Sequence, residues 1–431
     1  MICSRAAKAA IGLSIVTFSV VPEAAKANVF DTYGQSAGTI AIGNATTAGG
    51  TSAFAAYTNP ALLVHSKKNE ISGQAILTRF DLADLPQDTS STISPSRDRA
   101  SDADDLQGNS VGMNFVLREG LNLGIAAYVP SGSFGRIKGL SSYQSSYLRY
   151  SENQEKPAIY SALAVELPYG FSIGVGAYYS LRAKGVLQIG LTNEESEGRV
   201  DLNMEPVVAP YGGIAWRDAE LGTTVGVYYR EAQKTDSQID ASLVFSTDSF
   251  GVPFNASTSI VPFYDPAIFR FGVSQKIAQY EILFSFEQAQ WARYKDAVLF
   301  LTGNDVASIS AETPVTRVNL RDTQAYRLGF IAPFTAPYEQ TMELRLGLES
   351  HTSANRPGKR GNVIDPARNA VAAGLVWKLK ADEKDRRLSI EVAGQYNRLS
   401  ETNRVSTRGT PISVDAGHSI TTFVGGLNYE L

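Results

Sequence analysis

Long stretches of this chain alternate apolar and polar residues over the length a β-strand needs to cross a bilayer. From Phe171 to Arg182 the odd positions are Phe171, Ile173, Val175, Ala177, Tyr179 and Leu181, and the even ones are Ser172, Gly174, Gly176, Tyr178, Ser180 and Arg182. Side chains of a strand point alternately to its two faces, so such a segment has one greasy face and one wet face. Met342, Leu344, Leu346 and Leu348 repeat the pattern against Glu343, Arg345, Gly347 and Glu349. A face with that many charges does not suit a soluble core. Further alternating segments run from Leu221 to Arg230, Tyr280 to Glu287, Val371 to Lys378 and Leu388 to Asn397. An antiparallel soluble sandwich also alternates, so the pattern alone leaves two architectures open.

The amino terminus separates them. Arg5 and Lys8 precede an apolar run from Ala9 to Val21, followed by Pro22 and the small-x-small sequence Ala25-Lys26-Ala27. This predicts a secretory signal peptide over residues 1–27, cleaved before Asn28. The run is too short for the roughly 20 residues that span a membrane as a helix. Cys3 is the single cysteine, and removal of the signal leaves no disulfide or thiol chemistry to the exported chain.

The formal net charge of −4 offers no basic stripe for nucleic acid. Twenty Tyr, nineteen Phe and a mean hydropathy of −0.11 fit strands whose lipid-facing residues are diluted by lumen-facing ones. No apolar run reaches the roughly 18 residues of a helical span, so a membrane form of this chain would cross as strands.

Residues 28–65 are rich in Gly, Ala and Thr with weak periodicity, and read as a small unit of their own. Beyond them, tight connections (Glu119-Gly120, Pro168-Tyr169-Gly170, Asp218 to Glu220, Ala278, Ala336 to Glu339, Ala381 to Asp385) alternate with long polar ones. Short turns at one end and long loops at the other are the habit of an outer-membrane barrel. The expected fold is therefore all-β: a transmembrane antiparallel β-barrel of about 14 strands over residues 66–431, with residues 28–65 as an N-terminal hatch plugging the lumen. Trp216, Trp291, Trp377, Tyr128 and Tyr179 are candidates for interfacial girdles. In the last strand Phe423, Leu427, Tyr429 and Leu431 share a face. Such an ending is similar to the assembly signal of outer-membrane barrels, with Leu431 where that signal usually has Phe.

The most specific stretch runs from Gly43-Asn44-Ala45 to Tyr57-Thr58-Asn59-Pro60-Ala61-Leu62-Leu63. Pro60 fixes one dihedral and restricts Asn59, giving a rigid polar turn just before the first barrel strand. This resembles the hatch of the FadL/TodX family of outer-membrane long-chain fatty-acid and hydrocarbon transporters, which carries Asn-Pro-Ala at that place. Leu123 to Pro130, Pro266 to Val273, Glu287 to Tyr294, Tyr326 to Phe330 and Leu344 to Leu348 are loosely similar to later strands of the same family.

The resemblance implies a channel for passive uptake of hydrophobic small molecules, above all long-chain fatty acids. They would pass through an apolar lumenal pocket gated by the hatch and leave by a lateral opening in the wall. It places Asn59, Pro60 and Ala61 at the gate. Leu140, Tyr143, Tyr147 and Leu148, at helix-like spacing in the loop from Gly132 to Lys156, are a candidate capture surface for the ligand. The implied partners are a fatty acid or hydrocarbon and the outer-membrane lipids around a monomer, with no cofactor, metal or nucleic acid. The alternative is a scaffold or shuttle of a secretion system on the same fold.

Enzymatic readings are weak. Gly170-Phe171-Ser172-Ile173-Gly174 matches the hydrolase pattern Gly-x-Ser-x-Gly, but Ser172 begins a strand and a nucleophile elbow needs a strand-to-helix turn. His65, His351 and His418 lack metal-ligand spacing. The lumen charges Arg182, Arg230, Arg270, Glu281, Glu343, Arg345 and Glu349 are expected to neutralise one another and pin the hatch.

Overall fold

A computed structural model describes residues 29–50, 53–85, 105–131, 146–150, 156–191, 196–247, 250–294, 300–302, 319–336, 340–361, 363–405 and 411–431. The expected signal peptide lies outside these residues. Among them, fourteen antiparallel strands close into one barrel. The first half comprises β1 (Glu70–Asp81), β2 (Leu106–Arg118), β3 (Leu121–Pro130), β4 (Ala158–Glu166), β5 (Phe171–Leu191), β6 (Ser196–Asp218) and β7 (Thr223–Arg230). The second comprises β8 (Ile268–Ile277), β9 (Tyr280–Ala289), β10 (Thr323–Ala336), β11 (Gln340–His351), β12 (Arg368–Lys378), β13 (Arg387–Leu399) and β14 (Ser419–Glu430). β14 returns to β1, with Glu430 opposite Glu70 and Ser419 opposite Asp81. Closure removes the edges that an open sheet would expose.

Burial along the strands is inverted relative to a soluble protein. In β11, Leu344, Leu346 and Leu348 are 38%, 42% and 54% exposed, whereas Glu343 and Glu349 retain 9% and 3%. In β5, Phe171, Ile173, Val175 and Tyr179 face outward while Ser172, Tyr178 and Ser180 are buried. The greasy faces form the outer wall and the wet faces look into the lumen, as lipid contact demands.

The turns at Gly120, Tyr169-Gly170, Gly222, Ala278 and Asp385 all bend the backbone through positive φ. They share one end of the barrel with Glu70 and Glu430, where the wall begins and ends. β5 and β6 run to 21 and 23 residues, beyond the roughly 9–11 of a tilted crossing. Past the wall, a hairpin of Gln233–Thr247 and Phe250–Asp265 continues the sheet, and its first strand pairs in parallel with Lys184 to Leu191 of β5.

Two of the girdle expectations are corrected. Tyr128 points into the lumen and is fully buried, and Trp291 is 2% exposed in a short 3-10 turn packed on Tyr264 and Tyr294. A strand-end position does not fix which face an aromatic takes. Trp377 and Tyr179 do lie on the outer wall.

Inside the barrel sit α1 (Val29–Tyr33), α2 (Ala37–Ile40), α3 (Ala55–Thr58) and the 3-10 turn Pro60–His65. Ser36 caps α2, its Oγ accepting from Thr39 N at 3.3 Å, while Thr39 Oγ1 accepts from Ser36 N at 3.2 Å. These short helices bury almost every residue against the wall, so the apolar core of the molecule lies between plug and barrel.

Candidate functional site

Asn59 organises the end of the plug. Its backbone is extended and its side chain wholly buried. The side-chain Oδ1 accepts from Ala61 N at 3.1 Å, which starts the 3-10 turn, and Nδ2 donates to Thr47 O at 2.8 Å, which ties in the preceding loop. Asn59, Pro60 and Ala61 are thus brought together in one rigid element.

That element rests against glycines of the wall. Built onto Gly174, Gly213 or Gly226 of β5, β6 and β7, a Cβ would come within 3.0 Å of Pro60, Asn59 and Thr47 respectively. The seat continues around the barrel: Gly112 faces Phe54, Gly124 faces Leu63, Gly329 faces Ile42, Gly347 faces Gly43 and Gly374 faces Ala41, again within 3.0 Å of an added Cβ. Each glycine falls at a lumen-facing strand position, where a side chain would push the plug away.

Ions fasten the other side. Asp31 of α1 sits between Arg230 and Arg270, at 2.6 and 2.9 Å, and accepts from the Tyr57 hydroxyl at 2.5 Å. Arg270 continues to Glu287 (2.7 Å), which also holds Arg327 (3.0 Å). Glu349 pairs with Arg368 at 2.9 Å, and Arg368 donates to Thr32 O at 2.9 Å. Nearer the short-turn end, Arg345 donates to Gly38 O at 3.0 Å and pairs with Glu343, which also binds Lys378. Buried charges persist only when paired in this way. Burial pushes the Tyr57 phenol well above its ordinary range, keeping it a neutral donor to Asp31.

Above the Asn-Pro-Ala turn runs an arc of lumenal tyrosines: Tyr128, Tyr160, Tyr178, Tyr211 and Tyr228, one from each of β3 to β7 and all buried. Tyr160 stacks on Tyr178 at 4.4 Å, and Tyr57 of the hatch meets Tyr160 edge-on at 5.0 Å. Phe30 joins Tyr57 at 5.1 Å. The hydroxyls of Tyr211 and Tyr228 have no hydrogen-bond partner among the described residues.

Of the capture surface expected at Leu140, Tyr143, Tyr147 and Leu148, Leu140 and Tyr143 lie outside the described residues. Ser146–Tyr147 is a short strand paired in parallel with Val363–Ile364, and Tyr147 and Leu148 are 6% and 1% exposed. Tyr147 is thus in a paired strand against a neighbouring loop and not on a helix. Beside them, Arg149 binds Asp365 at 2.6 Å and its carbonyl accepts from Tyr33 of the hatch at 3.0 Å. These contacts tie the Arg149 segment to Asp365 and to α1.

No group of His, Cys, Asp and Glu able to hold a metal occurs among the described residues. Ser172 pairs in register inside β5, between Glu166 and Ala215, and not on a strand-to-helix turn.

A closed barrel with a charged lumen, an apolar exterior and a segment seated inside its wall is a plugged β-barrel. No protein-family model and no curated protein matches the sequence. Among solved structures, the chain shares the fold of the FadL/TodX channels. A Pseudomonas aeruginosa FadL homologue superimposes with a TM-score of 0.58 at 11% identity, over 96% of this chain and 100% of that one. The P. putida toluene transporter TodX gives 0.58 at 12% identity, and the monoaromatic hydrocarbon channel CymD gives 0.56 at 13%, each over 93% of this chain and 99% of the other.

Proposed function

We propose that this protein is an outer-membrane channel for passive uptake of hydrophobic small molecules, gated by the hatch at Asn59, Pro60 and Ala61, with long-chain fatty acids as cargo. It would be exported by cleavage of residues 1–27 and act as a monomer without cofactor, with residues 28–65 as plug and 66–431 as barrel. The observation that carries this reading is the combination of a plug seated on glycine with an aromatic arc directly above it. A plug seated in that way occupies the lumen, while buried aromatic faces suit an acyl chain or ring. Each buried CH₂ gains about 0.8 kcal/mol, so such a site holds a hydrocarbon that a wide aqueous pore would not.

Cells expressing the protein should accumulate labelled oleate faster than cells without it. Pro60→Gly, or deletion of residues 28–61, should change that rate while the barrel stays assembled. Uptake identical across all three forms would sink the gating role.

A further inference from the structure

On the lipid-facing wall, toward the long-loop end, β9 to β13 carry a concavity of about 760 Å³. That lies within the roughly 300–1,000 Å³ of sites that hold a discrete small molecule. The strand register explains its lining. Leu328 is opposite Leu348, Leu348 opposite Val371 and Val371 opposite Tyr396, so four outward apolar side chains form one row. One step nearer the long-loop end, Ser350 is opposite Asn369 and Asn369 opposite Arg398, all three exposed. An apolar trough is therefore topped by a polar row that ends in a guanidinium.

Arg398 is the informative member. It points outward from the wall, where a charge is expensive unless it reaches the interface, and no ion pair to it exists among the described residues. Arg79 and Arg386, by comparison, have Asp105 and Asp382 as partners. A guanidinium with exposed neutral donors beside it and a greasy trough below is complementary to an acyl chain carrying an anionic head group.

We propose that this concavity is a specific site for one resident lipid of the surrounding leaflet, its phosphate held by Arg398 and its chain laid along Leu348, Val371 and Tyr396. The site rests on the membrane placement proposed above. On the inward face of that stretch of wall lie Arg327 and Glu349, of the ionic run that reaches the hatch through Arg270 and Arg368.

The test is native mass spectrometry of the full chain in detergent, with phosphatidylglycerol or the phosphate-free diacylglycerol added. One phosphatidylglycerol should be retained and diacylglycerol lost. R398Q should weaken retention about tenfold, the size of one charge-assisted hydrogen bond. Val371→Trp, which fills the trough, should do the same, and both variants should keep barrel assembly and oleate uptake. Equal retention of the two lipids, or undiminished retention by R398Q, would overturn the site. Displacement of the lipid by oleate, with uptake lost in R398Q, would overturn it by assigning the concavity to cargo. A chain that stays in solution without detergent would remove the membrane placement itself, a failure distinguishable from the others.

Discussion

Gly347→Ala is the sharpest probe of how the plug is held. A methyl on Gly347 would lie 2.7 Å from Gly43 Cα and closer still to Gly43 N and the Ile42 carbonyl carbon. All three atoms are hatch backbone, so no flexible side chain can turn aside. Gly43 itself has φ +61° and faces the Leu348 backbone within 3.0 Å, so the plug has no slack there. Overpacking of this kind costs about 1–3 kcal/mol, and alanine is no worse than glycine within the strand itself. The strain therefore falls on the seat and not on the barrel. A shift of 2 kcal/mol changes a seated-to-displaced ratio by about 30-fold, enough to turn a rare opening into a measurable one. Planar-bilayer recordings should show Gly347→Ala conducting ions in bursts while its heat-modifiable migration matches the parent. Gly73→Ala, with nothing within 4 Å of the added carbon, should stay silent. If Gly347→Ala were as silent as Gly73→Ala, the glycine seat would not hold the plug.

Asp31→Ala leaves Arg230 and Arg270 facing each other without their shared carboxylate. Breaking a buried pair costs about 3–5 kcal/mol, and protease sensitivity of the hatch in intact outer membranes should rise sharply. Asn59→Ala loses both the turn cap and the bond to Thr47 O; a loss of about 1–2 kcal/mol should appear as faster hydrogen exchange from residue 47 to residue 63. The pKa of His65, at the end of the hatch, is lowered to about 4, first by burial and then by the positive charge of Arg217. A displaced plug regains a pKa near 6.5 and binds the proton more readily, so the seated form should be fully favoured above pH 6.5 and weaken as pH falls toward 4. His65→Gln should flatten that dependence of channel opening; an unchanged profile would show that His65 stays seated.

The wall was legible because one rule repeats along it. Met342 to Glu349 reads as alternation in isolation, and its leucines did fall outward and its glutamates inward. The plug seat was not legible in the same way. Gly174, Gly213, Gly226 and Gly347 lie on four different strands, and only the closed barrel brings them to one plug. Nothing near Asp31 names Arg230 and Arg270, which are 199 and 239 residues away. The pairing of Tyr147 with Val363–Ile364 was not legible for a third reason: spacing is a local signal, and this contact is not local. Sequence patterns thus carry what recurs, while sites made once from distant residues wait for the fold.

The same fold places opposing demands on the lumen. Uptake of an apolar molecule needs a dry surface inside the barrel, yet fourteen strands enclose a space that water would fill unless something occupies it. Here the occupant is the protein's own amino-terminal segment, seated by shape at Gly174, Gly213 and Gly347 and by charge at Asp31. Shape contacts give way only when the backbone moves, whereas a salt link gives way when its partners are rearranged. A ligand that wedges between Tyr57 and Tyr160 would disturb the hydrogen bond from Tyr57 to Asp31 first, because the two are one residue's ring and hydroxyl. Release is then expected to start at α1 and leave the Asn59 turn seated until last. Asp31→Ala should accordingly raise opening without cargo, while Asn59→Ala, though it loosens its own turn, should raise opening only once α1 is free.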